Sequence, residues 1–150
     1  MGKEGKERTA SLEELRLHRS KIIGARLPDL WKNIMEQVRV DCLKLVKTFP
    51  YDEKYHCFME TTPKGFELTS GKPPFHILEA ELNLNGQYIT IREGMRYNRS
   101  SPPIFDRTAT RIQVEVSEDG ELELDYLGKT HITPETLCKQ LISIVCGFKI

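Results

Sequence analysis

The chain has 150 residues, 39% hydrophobic and 29% charged, the composition of one ordinary globular domain rather than of a fibrous, disordered or disulfide-scaffold chain. Its 22 Lys and Arg balance its 22 Asp and Glu, so no global field favours nucleic acid or an anionic membrane surface. The charge is unevenly spread: residues 1–50 carry 11 basic against 7 acidic side chains, and residues 112–150 carry 3 against 7, a difference that could align protomers or simply form a solvated acidic face.

Residues 1–9 read as a disordered polar tail, and 10–150 as a single domain. The first residues have no apolar core, so no secretory signal is expected. Lys6 stands where a myristoylation motif wants Ser or Thr, and no apolar run approaches membrane-spanning length. Cys42, Cys57, Cys138 and Cys146 all fall inside apolar patterns and none is in a C-x-x-C pair. Free buried thiols in a reducing compartment are expected, which places the protein in the cytoplasm.

Ser11-Leu-Glu-Glu14 has the spacing of a capping box. A short helix should follow, with Leu12, Leu15 and Ile22 on one side and Gly24 as a left-handed stop. Pro28 suits the first turn of a second, long helix. Trp31, Ile34, Val38, Cys42, Leu45 and Phe49 then recur at steps of three and four, a continuous apolar stripe that Pro50 ends.

Strands come next. Tyr55 to Glu60 and Phe66 to Leu68 flank Thr61-Thr-Pro-Lys-Gly65, and Gly71-Lys-Pro-Pro74 breaks the pattern. From Phe75 to Arg92 apolar and polar residues alternate on both sides of Asn85-Gly86, the pair favoured in type I′ hairpins because both turn residues need positive φ. That turn sets Leu82 opposite Ile89, Ala80 opposite Ile91, Glu81 opposite Thr90 and Glu79 opposite Arg92. A long connection, Glu93 to Asp106, precedes a strand carrying Thr110, Ile112, Val114 and Val116 on one face. A three-residue loop, Glu118-Asp119-Gly120 with Gly120 left-handed, then sets Val116 opposite Leu122 and Val114 opposite Leu124. A two-residue turn would put Val116 against Glu123. Thr133 and Pro134 open a last helix with Leu137, Leu141, Ile144 and Val145 inward, and Gly147 closes it.

The fold class is therefore α+β: an antiparallel meander of about six strands, one face covered by a long helix from the N-terminal half and by a C-terminal helix. This order of elements resembles helix-grip and cystatin-like architectures, a likeness that implies no function.

No catalytic set stands out, and the chain reads as a binding domain rather than an enzyme. The best candidate site is the connection after the central hairpin. Arg92, Arg96, Arg99 and Arg107, with Arg111 on the next strand, stand beside Met95, Tyr97 and Phe105. Arginine offers a planar fork to carboxylate or phosphate, and tyrosine a face on which an apolar ligand can stack. Unstructured loops of this length in a compact domain are usually functional or disordered. A solvated loop stiffened by Pro102-Pro103 is the bland alternative. Arg92, Arg96, Tyr97, Arg99, Arg107 and Arg111 are thus the expected contact residues, for another protein or a small anionic ligand. Nucleic acid is disfavoured because basic surface is missing elsewhere.

Other constellations read as background. His56 and Cys57 are neighbours on a strand and point to opposite faces, which suits a core thiol and a surface imidazole. His18, His56, His76 and His131 lack ligand spacing, and no glycine loop cradles phosphate, so no metal or cofactor is expected. Glu60, Glu79 and Glu81 read as the wet face of strands, with Arg92 expected to lower the Glu79 pKa. A rival reading places a ligand pocket between sheet and long helix, lined by Trp31, Phe49, Tyr55, Phe58 and Phe66. Homo-oligomerisation through a strand edge or the short first helix is a further possibility.

Overall fold

The computed structural model describes the backbone of residues 2–147 and the side chains of residues 11–147. The polar tail expected over 1–9 lies outside the residues whose side chains are described. Helix α1 spans Gly2–Thr48, and a 3-10 turn, Glu53–Tyr55, follows it. Then come β1 (Cys57–Thr62), β2 (Gly65–Ser70), β3 (Phe75–Asn83), β4 (Tyr88–Arg96), β5 (Ile104–Phe105), β6 (Thr110–Val116), β7 (Leu122–Tyr126), β8 (Lys129–Ile132) and helix α2 (Pro134–Cys146). The architecture is α+β. All pairings are antiparallel, the order is β1-β2-β3-β4-β6-β7-β8, and β5 pairs with β4 off this path.

The hairpin registers follow the sequence patterns. Leu82 faces Ile89, Ala80 faces Ile91 and Glu79 faces Arg92. The turn itself differs from the expected type I′. Positive φ falls on Gln87 (59°), not on Asn85 or Gly86, and the loop runs over residues 84–87. A four-residue loop closed by one left-handed residue keeps the register of a two-residue turn. The Asn83 side chain organises it: Oδ1 accepts from the Gly86 amide at 2.7 Å and Nδ2 donates to the Tyr88 hydroxyl at 3.0 Å. Between β6 and β7 the expectation holds, with Gly120 at φ 80°, Val116 opposite Leu122 and Glu115 opposite Glu123. Thr133 caps α2 by accepting from the Thr136 amide, and Gly147 ends it at φ 76°.

The two helices expected before Pro50 are one. Pro28 lies inside α1, and Ser11 is not a cap. An interior proline deprives the carbonyl four residues back, here that of Gly24, of its partner. Gly24 and Pro28 both lie on the exposed side, so water can satisfy that carbonyl. Ile23, Leu27 and Trp31 on the other side are all buried, and only a continuous axis buries all three.

The meander also has eight strands rather than about six. β8 is short, with His131 and Leu127 at positive φ around its turn. β5 turns the expected open connection into sheet: it binds the half of the β4 edge that β6 leaves unused. Gly94 makes that approach possible, since a Cβ there would stand 2.5 Å from the Ile104 carbonyl oxygen and 2.9 Å from the Phe105 Cα.

Both helices lie on one face of the sheet and pack on each other. Phe66, Leu68, Leu78, Ile112, Leu124, Leu137 and Ile142 are fully enclosed. Trp31 stacks on Phe66 with centroids 5.5 Å apart, and the Cys138 thiol donates to the Ile34 carbonyl at 3.5 Å, so the helices meet closely. The space beneath α1 is filled by these side chains. Of the aromatics considered for a pocket there, Trp31 and Phe66 stack inside, Phe49 stacks on Tyr55 at the foot of α1, and Phe58 lies exposed.

Candidate binding site on the open sheet face

The sheet face away from the helices is built by the alternate residues. In register across four strands stand Glu60, Glu67, Glu79 and Arg92. One step along stand Phe58, Thr69, Ile77 and Gly94, and beyond them Phe75 faces Arg96. Phe75 and Ile77 are almost fully buried on this supposedly wet face. The strict alternation fails at Phe75-His-Ile-Leu78, where apolar residues occupy both parities. That failure was the available signal that one end of the open face is apolar.

The arginines expected to act together are divided. Arg92 stacks on Phe105, 4.3 Å from ring centroid to guanidinium carbon, with Nε 3.8 Å from Glu79. Arg111 lies 4.2 Å over the Tyr88 ring. Tyr97 is 71% exposed and Arg107 is exposed, and neither lines a cavity with the others. Arg96 and Arg99 do converge. They line a cavity of about 400 Å³ with Phe58, Met59, Glu60, Thr69, Ser70 and Phe75. Thr69 and Phe75 were not anticipated as site residues, and Phe58 was expected to line a pocket beneath α1 rather than this cavity on the opposite face of the sheet.

Local chemistry holds this site. The turn bearing Arg99 is ordered by Asn98, whose Oδ1 accepts from the amides of Ser100 and Ser101 at 3.0 and 2.8 Å. Arg96 Nη2 lies 3.8 Å from Glu67, and its Nε is buried without a hydrogen-bond partner. Arg99 reaches over the Phe75 ring at 6.0 Å. Among the described residues no carboxylate lies within ion-pair distance of Arg99. The cavity therefore combines the aromatic rings of Phe58 and Phe75 with the polar side chains of Glu60, Thr69 and Ser70, and carries at its rim a guanidinium, that of Arg99, with no carboxylate within ion-pair distance among the described residues.

The glutamate row has an electrostatic cost, since like charges directly opposite repel. Glu79 lies above the ordinary carboxyl range: partial burial and the charge of Glu81 outweigh Arg92. This corrects the expected lowering by Arg92, which the register alone suggested. A raised carboxyl pKa means the folded state holds the proton more tightly than the unfolded chain. Stability therefore falls as pH rises from about 4.5, the ordinary value, through the raised one. Glu79→Gln is expected to flatten that slope and stabilise the protein at pH 7 by about 0.5 kcal/mol, measured by urea unfolding across pH.

His56 is buried rather than exposed, its Nε2 2.6 Å from the Phe49 carbonyl oxygen, because the chain leaving α1 folds back over it. Cys42, Cys57 and Cys146 converge from α1, β1 and α2. Thiol hydrogen bonds with the other two and burial hold Cys57 far above its usual range, while the contact with Cys57 lowers Cys146. Burial pushes Cys138 up to about 12. Among the described residues no group of three His, Cys, Asp or Glu is placed to hold a metal ion, and no helix is long and apolar enough to cross a membrane.

No protein-family model, curated protein or solved structure matches the chain.

Proposed function

We propose that the protein is a non-catalytic binding domain whose contact surface is the open sheet face at the Arg96–Arg99 cavity. Its ligand carries a carboxylate or phosphate on an apolar, flat body, either as a small molecule or as a group presented by a partner protein. The single observation that carries this reading is Arg99 without a carboxylate partner above a floor that includes Phe58 and Phe75. The volume falls in the range of small-ligand sites. The guanidinium would take the anion, and the aromatic rings would take the body by stacking. A ligand pocket between the sheet and α1 is not favoured by the packed side chains of Trp31, Ile34, Val38 and Phe66.

Phenyl phosphate and inorganic phosphate are suitable probes for an NMR titration of the intact chain. Phenyl phosphate is expected to shift the resonances of Phe58, Thr69, Phe75 and Arg99, and to bind more tightly than phosphate alone. Arg99→Ala is expected to weaken it by about 10-fold or more, the worth of one charge-assisted hydrogen bond. Equal binding by the variant, or shifts confined to other surfaces, would remove the cavity from consideration.

A further inference from the structure

The Arg96–Arg99 cavity carries a second unanswered charge, of the opposite sign. Glu60 lines it from β1, and among the described residues no cation lies within ion-pair distance of its carboxylate. The topology explains why. β1 is the end strand of the sheet path, so no strand on its outer side can deliver a cation. On its inner side Glu67 stands directly opposite, and like charges so placed repel.

The neighbouring charges on this face are already matched. Arg96 lies 3.8 Å from Glu67, and Arg92 lies 3.8 Å from Glu79. Each match removes one charge of either sign and leaves the cavity with two: the carboxylate of Glu60 and the guanidinium of Arg99. They stand on opposite sides of it. Glu60 belongs to β1, whereas Arg99 reaches over the ring of Phe75 on β3, with β2 between them. Two strand spacings separate those positions by on the order of 10 Å. Phe58, Thr69 and Phe75 fill the interval.

We infer that the ligand of this cavity is a small zwitterion, a flat apolar body with a phosphate or carboxylate at one end and an ammonium at the other. The inference rests on the anion-binding reading of Arg99 and adds the second pole. A ligand carrying the anion alone would leave Glu60 unanswered and bring a like charge into the same cavity. A zwitterion of matching length answers both side chains and leaves the cavity electrically balanced. The ammonium also tells a free molecule from a ring held within a partner protein. In mid-chain the corresponding nitrogen is a neutral amide, which offers Glu60 no charge.

Three probes test this by NMR titration of the full chain: tyramine phosphate, its N-acetyl derivative and phenyl phosphate. Acetylation removes the positive charge and keeps the ring, the arm and the phosphate. Tyramine phosphate is expected to bind about 2–5-fold more tightly than the acetylated form, the range for one exposed ion pair. Its titration should also shift the Glu60 resonances, which phenyl phosphate should move less. Glu60→Gln should abolish the preference for the free amine and bind phenyl phosphate slightly more tightly, because one like charge is gone. Equal binding of the amine and its acetylated form by the wild type would overturn the inference and leave the anion site standing. So would a preference that survives in Glu60→Gln. Failure of all three probes to bind would remove the anion site together with the inference.

Discussion

Phe66→Ala is expected to cost about 3–5 kcal/mol, the range for truncating an enclosed aromatic side chain. Phe66 has no solvent exposure and stacks on Trp31, so its loss opens a void between β2 and α1 that neither can collapse into. Such a loss is a large part of the 5–15 kcal/mol that holds a domain of this kind. Trp31 is the sole tryptophan of the chain, so its fluorescence reports the site directly. Urea titration should show an earlier midpoint with an unchanged slope, together with a red shift of native emission as water reaches the indole. An unchanged midpoint would mean that α1 is not held to the sheet through this stack.

The second large effect is expected at Gly94. Gly94→Ala places a Cβ against the backbone of Ile104 and Phe105, atoms that cannot swing aside as a side-chain end can. β5 must lift from β4. With it go the hydrogen bond that the Asp106 amide donates to the Glu93 carbonyl, 2.7 Å long, and the stack of Arg92 on Phe105. Forced separation of this kind typically costs about 1–3 kcal/mol, which for a chain of this size lowers the thermal midpoint by about 3–9 °C. Hydrogen exchange at the Asp106 amide should accelerate well beyond the global change. The turn bearing Arg99 joins β4 to β5, so phenyl phosphate binding should weaken in the same variant. Retained protection at Asp106 would show that β5 does not depend on the missing side chain.

The glutamate row crosses the open face beside the cavity, and burial with the charge of Glu81 holds Glu79 above the ordinary carboxyl range. A surface that tolerates three aligned carboxylates is not arranged for stability alone.

Individual elements show how much could be read in advance. The pairing of Glu79 with Arg92, and of Val116 with Leu122, followed from alternation and loop length, since a slip of one residue would turn every apolar side chain to water. The caps of α2 followed from Thr133, Pro134 and Gly147. Of the six contact residues expected, Arg96 and Arg99 meet in one cavity, Arg92 and Arg111 lie on aromatic rings, and Tyr97 and Arg107 face water. Residue type pointed to the right stretch of chain, but which arginine is left uncompensated depends on carboxylates and rings delivered by other strands.

Local pattern alone settled the α+β class, the hairpin registers and the closing helix, because each depends on neighbours within a few residues or on a period of two or 3.6. Tertiary structure decided that Gly24 and Pro28 do not break α1, that β5 joins the sheet, and that His56 goes inside. It also assembled the cavity from Phe58, Thr69, Phe75, Arg96 and Arg99. Those outcomes rest on contacts between residues far apart in the chain, such as Gln87 with Ser20 and Trp31 with Phe66, and no short window of sequence contains both partners.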